Sequence, residues 1–262
     1  MRNLGSRYSS HQVDEENPYW ISFSDIMAGL LVIFVLAAIA LVLELTQLKE
    51  KIQEDMSELA RAEQVRRDIL KDIVGELNSM KIPVKLSEND TVIRIPNDVL
   101  SFRQRSFNLP DDKRSLANAL AIGEVIYKSI RKENRWKYLD TVFVEGHTDR
   151  APYSNQAIKG NWGLSTFRAI SVWDYWNSEM PEGSRLDELK NHVGKKLFSV
   201  SGYAETRPVS CSNASPDVDN QDVCPRGRID SLESLKMNRR IDIRFTVKLA
   251  KSVDIREKLS AY

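Results

Sequence analysis

The chain has 262 residues, and its 38 Lys and Arg against 37 Asp and Glu give a formal net charge of +1. That balance supplies no bulk attraction to nucleic acid, and no basic patch with interleaved aromatics compensates for it. The length accommodates one membrane helix and one domain of ordinary size.

Residues 1–19 are polar and read as a short tail. Residues 20–45 follow as a transmembrane helix, built on an unbroken apolar run from Ile26 to Leu43 with Trp20, Ile21 and Phe23 extending it upstream. Roughly 20 apolar residues at 1.5 Å each span a bilayer core. A cleaved signal peptide requires a basic flank, whereas Asp14, Glu15 and Glu16 here outweigh Arg2 and Arg7. Lys and Arg are not enriched before the helix, so the positive-inside rule does not favour a cytoplasmic N-terminus. Asp25 opens the apolar run. It is either an interfacial capping acid or a carboxylate whose burial raises its pKa and lets it exchange a proton. Ser22, Ala28, Gly29 and Val32 share its helical face, and the small residues leave room for a partner helix or water.

Residues 46–82 form a charged, amphipathic helical linker. Leu45, Leu48, Ile52, Met56 and Leu59 recur at three- and four-residue steps, as do Ile69 or Leu70, Ile73, Leu77 and Met80, with Arg66 interrupting the stripe. The pattern suits pairing with a copy of itself over a short stretch but is too broken for an extended coiled coil. Pro83 ends it.

A domain over 83–250 then alternates strands and helices. Strands are expected at 84–86, 91–95, 141–145, 197–201 and 241–248, and helices at 112–132 and 164–179. The implied fold is an α/β (α+β) sandwich with a mixed sheet. Residues 205–237 are too long for a routine connection and read as a loop insertion, and 251–262 form a C-terminal tail. The insertion holds the only two cysteines, Cys211 and Cys224. Their spacing does not fit zinc. Outside the cytoplasm they suit a disulfide worth roughly 3 kcal/mol, with two free surface thiols as the alternative. Asp217, Asp219 and Asp222 lack the terminal Glu of a calcium loop and read as solvated.

The informative stretch is VEGHTDRAPYSNQAIKGNWGLSTFRAISVWDYW, residues 144–176. Glu145-Gly146-His147-Thr148-Asp149, Asn161, Leu164-Ser165, Arg168-Ala169, Gly202-Tyr203 with Pro208, and Asn238-Arg239-Arg240 follow in order. This ordered set resembles the OmpA-like peptidoglycan-binding domain. The resemblance implies that Asp149 grips the ammonium of a diaminopimelate-type peptide and Arg168 its carboxylate, chemistry that a carboxylate and a planar guanidinium fit. The alternative is that the two side chains pair with each other. Asn161, Arg239 and Arg240 are supporting contacts, although Asn161 also suits a helix cap. His147, Ser165 and Asp149 carry the residue types of a hydrolytic triad, but no nucleophile-elbow motif surrounds a serine. Binding without catalysis is implied.

The aromatic-Ser-Phe-Ser-Asp entry to a single helix, the amphipathic linker and the domain together resemble the MotB family of stator subunits. NPYWISFSDIMAGLLVIFVLA and the cysteine-bearing insertion are similar to the ZorB branch in Zorya anti-phage systems. The resemblance implies an inner-membrane homodimer surrounded by a pentamer of a multi-helix MotA/ZorA-like partner. It implies no cofactor, with protons as the transported ion passing at Asp25. It places the N-terminus in the cytoplasm, the domain in the periplasm and a plug in the linker. Flagellar rotation and a passive wall tether are the rival readings.

Overall fold

The computed structural model describes residues 18–209 and 232–248. Residues 1–17 of the N-terminal tail, Cys211, Cys224, the 217–222 aspartates and the 251–262 tail lie outside the described residues. The chain divides into two compact units, Met1–Glu54 and Asp55–Tyr262.

Helix α1 is Pro18–Ser79. Proline is compatible with a first helical position because its missing N–H has no intrahelical partner there. Leu, Ala, Met and Glu, all strong helix formers, sustain the later turns. Within the first unit, every described side chain from Tyr19 to Glu54 is exposed. An 18-residue window of this helix has a mean hydropathy of 3.1 with none of it buried, so it is long and apolar enough to cross a membrane.

In the second unit the helix is integral to the domain. The 46–82 segment, expected as one linker, divides after Glu54. Ile69, Leu70, Ile73 and Leu77 are fully buried in the same cluster as Ile122, Ile126 and Ile130. The stripe expected to suit self-pairing therefore packs within the chain over this stretch. Arg66, which interrupts the stripe, lies nearly buried and pairs with Glu63 at 2.5 Å. The helix ends in a Schellman turn. Lys81 adopts φ 64°, its N–H reaches Asn78 O at 3.0 Å, and Ile82 N–H reaches Leu77 O at 3.0 Å. Ile82 and Leu77 are both buried, as that turn's hydrophobic contact requires.

The sheet comprises β1 (Lys85–Ser87), β2 (Val92–Pro96), β3 (Leu139–His147), β4 (Phe198–Gly202) and β5 (Arg240–Val247), in the order β1-β2-β5-β3-β4. Among the described residues only β3 and β4 run parallel. A parallel pair needs a crossover, and α4 (Asn161–Glu179) lies within that connection. The remaining helices are α2 (Asn97–Leu100), α3 (Lys113–Arg131) and α5 (Leu232–Asn238). Helix α5 occupies the end of the stretch expected to be loop, and α2 and the 3-10 turns at Lys132–Tyr138 add to the expected elements. Helix α3 is capped by Asp112, which accepts from Ser115 N–H at 2.9 Å. Trp176 on α4 is fully buried and donates to Ala119 O on α3 at 2.7 Å.

Helix α4 lies close on β3 and β4. Gly146 and Gly202 are register partners, and a Cβ on Gly146 would sit 1.9 Å from Ser165 O while one on Gly202 would sit 2.2 Å from Thr166 Oγ1. Any side chain at either position would push α4 off the sheet and move the residues at the end of β3.

Candidate functional site

Strand β3 ends at His147, and Thr148 and Asp149 continue from it. Thr148 N–H donates to Ala204 O at 2.9 Å and Tyr203 N–H to Gly146 O at 2.9 Å, which ties this end to the segment after β4. The chain then turns, and Ala151 N–H donates to Asp149 Oδ1 at 3.0 Å. Asn161 does not cap its helix through its side chain, because Gly160 holds the N-cap position. Asn161 Nδ2 instead donates to Ala151 O at 3.2 Å and fixes the loop to α4.

Asp149, Asn161, Arg168 and Arg239 line one cleft, together with Tyr153 and Arg105. Asp149 and Arg168 share this cleft without pairing directly: the carboxylate's ionic partner is Arg239, Nη1 to Oδ2 at 2.5 Å. Arg168 is 2% exposed. Its Nε donates to Ser106 O at 2.9 Å and its Nη2 to Arg103 O at 3.2 Å, and the guanidinium lies 5.4 Å from the Phe102 ring. Burial, reinforced by the positive charge of Arg239, pushes Arg168 down to about 10 against the opposing pull of Asp149 and Tyr153. It stays cationic at neutral pH, oriented by carbonyls that do not neutralise it.

Arg240 is not a cleft residue. Strand β5 alternates Arg240, Asp242 and Arg244 with Ile241, Ile243 and Phe245, and the apolar set enters the core. The polar set meets Glu145 and His147 of β3, since Glu145 faces Asp242 and His147 faces Arg240 in the register. Arg240 Nε pairs with Asp242 Oδ2 at 2.9 Å and its Nη2 donates to Arg207 O at 3.0 Å. Arg94 Nε reaches Asp242 Oδ1 at 3.3 Å. Arg244 bonds both Glu145 oxygens, at 2.8 and 3.1 Å. Burial alone would raise the Asp242 carboxyl, but Arg240 and Arg94 outweigh it and hold the group below its usual value. This buried network is scaffold beside the cleft.

His147 belongs to that network, 1% exposed and stacked on Tyr203 at 5.4 Å. Its Nε2 lies 3.4 Å from Asp242 Oδ2. Burial first, then the charge of Arg240, pushes the imidazole down to about 3. Ser165 Oγ donates to Trp162 O at 2.9 Å and accepts from Ala204 N–H at 3.0 Å. Serine and histidine thus serve different elements, and His147, Ser165 and Asp149 form no relay. Among the described residues no group of three or more His, Cys, Asp or Glu is placed to hold a metal ion.

Residues 102–221, which include the β3–α4 junction and most of the cleft lining, match the model of the OmpA family. The chain is similar to the Zorya protein ZorB of Escherichia coli, at 24% identity over 210 residues, 75% of this chain and 81% of that protein. It is also similar to the uncharacterized protein YtxE of Bacillus subtilis, at 31% identity over 100 residues, 38% of this chain and only 30% of that protein. Among solved structures, the periplasmic domain of Helicobacter pylori MotB aligns at 20% identity with a TM-score of 0.42, covering 68% of this chain and 91% of that one.

Arg105 and Tyr153 are cleft residues that the sequence did not single out. Tyr153 lies inside the 144–176 stretch, and its place between Asp149 and Asn161 was the available signal. Arg105 sits in an irregular segment with no periodicity to mark it.

Proposed function

We propose that the chain is the wall-anchored, single-pass inner-membrane subunit of a proton-driven stator acting in anti-phage defence. The observation that carries the anchoring part is the convergence of Asp149, Arg168, Asn161 and Arg239 on one cleft of an OmpA-like domain. A diaminopimelate-type wall peptide offers carboxylates for Arg168 and an ammonium for the Asp149 carboxylate. Similarity to the Zorya protein ZorB over 75% of the chain supports the defence setting. The apolar segment of α1 supports the membrane anchor, and Asp25 at its mouth supports proton exchange. In this reading the N-terminus is cytoplasmic, the domain periplasmic, and two copies stand inside a pentamer of a multi-helix partner. A periplasmic location also favours a Cys211–Cys224 disulfide.

The test is sedimentation of the detergent-solubilised full chain with purified peptidoglycan. Arg168→Ala is a poor variant, because it leaves the carbonyls of Arg103 and Ser106 without their donors. Asp149→Asn and Arg168→Lys preserve more of the local bonding. Asp149→Asn is expected to weaken pelleting at least roughly ten-fold, since an unpaired desolvated ligand charge costs about 2–5 kcal/mol, and Arg168→Lys to weaken it less, since it keeps the charge and loses the bidentate fork. Undiminished pelleting by both variants refutes the cleft as the wall site.

A further inference from the structure

Charge in the cleft is unbalanced. Its lining has one carboxylate, Asp149, and three guanidinium groups, Arg105, Arg168 and Arg239. Arg239 already pairs with Asp149 at 2.5 Å. Arg168 and Arg105 are left as two cations beside one opening, and the hydrogen-bond partners of Arg168 are neutral carbonyls.

The placement of Arg105 is built rather than incidental. Ser106 N–H bonds Arg103 O at 3.1 Å, closing a turn with Gln104 and Arg105 at its tip. Arg105 there has φ 60°, a conformation that a turn normally gives to Gly or Asn. Helix α4 holds this turn in place: Arg168 bonds the carbonyls of Arg103 and Ser106, and Ser171 Oγ donates to Phe107 O at 2.7 Å. One arginine therefore fixes the segment that presents the other. An exposed arginine needs no such position for solubility, and a glycine would relieve the backbone.

We propose that the cleft takes a peptide bearing two free carboxylates, one at Arg168 and the second at the exposed Arg105, and that Arg105 selects against peptides in which one carboxylate is amidated. This rests on the wall-binding reading and narrows its ligand class. An amide is the same size as a carboxylate but carries no charge and presents an NH₂ to a group that can only donate, so the guanidinium loses one of its two acceptor oxygens and the bidentate geometry fails.

The experiment measures binding of synthetic L-alanyl-γ-D-glutamyl-diaminopimelate to the detergent-solubilised full chain, alongside two mono-amides, one at the glutamate α-carboxyl and one at the diaminopimelate side-chain carboxyl. The wild type is expected to bind at least one mono-amide roughly ten-fold more weakly than the free acid, about one charge-assisted hydrogen bond. Arg105→Gln is expected to weaken the free acid by a similar factor and to bind that amide and the acid alike. Arg105→Lys should restore part of the discrimination through charge alone. If Arg105→Gln keeps both amide penalties, or the wild type shows none while still pelleting with peptidoglycan, the Arg105 assignment is overturned and the wall reading stands. If the wild type neither binds the peptides nor pellets, both are overturned.

Discussion

His147 makes a quantitative prediction about pH. The side chain is 1% exposed, and its nearest acidic oxygen is Asp242 Oδ2 at 3.4 Å. Arg94 and Arg240 share Asp242, and together with Arg207 their positive charge at the ring outweighs the single carboxylate of Asp242. A proton on the imidazole would add charge to a buried, already positive cluster, which is why its pKa drops from 6.5 to about 3. Between those values the unfolded chain binds a proton that the folded domain refuses. The stabilisation is complete above about 6.5 and is lost as pH falls toward 3. One pKa unit is worth about 1.4 kcal/mol, so the full gap amounts to about 5 kcal/mol, a large share of the roughly 5–15 kcal/mol that holds a domain together. Urea unfolding of a fragment starting at residue 55, measured from pH 7.5 to 4.5, should show stability falling with a slope approaching 1.4 kcal/mol per pH unit below 6. His147→Gln, neutral throughout, should flatten that slope whatever it does to stability at pH 7.5. An identical slope in the variant, or a flat profile in the wild type, would refute the reasoning and mean that the folded domain accepts the proton.

Helix α1 carries two further expectations. Ile69, Leu70, Ile73 and Leu77 are fully buried, and at roughly 1.5–3 kcal/mol each their loss removes about 6–12 kcal/mol. A fragment starting at residue 81 should therefore fail to fold cooperatively, while one starting at 55 gives a single thermal transition; equal melting temperatures would show that the helix is dispensable. Asp25→Asn, nearly isosteric but unable to release a proton, should leave membrane level and peptidoglycan pelleting unchanged and abolish phage protection. Full protection by that variant favours a passive tether.

Sequence periodicity alone exposed a strand over 241–248, the mixed α/β layout and the span long enough for a bilayer, because each is a local pattern repeated within one element. It also marked Ile69, Ile73 and Leu77 as one apolar face, but a stripe reveals that a face needs cover and not what covers it. The cover proved to be the domain's own core. The convergence of Asp149 and Arg168 was legible from the ordered motif. Their relation was not, since the partner of Asp149 arrives from 90 residues away in Arg239. Arg239 and Arg240 are equivalent as letters. Entry into an extended strand turns consecutive side chains to opposite sides, so the register of β5 against β3 sends one to the cleft and locks the other into the buried network with Asp242. Arg105 lies in a segment without periodicity, and only the bonds from α4 to its turn bring it to the site.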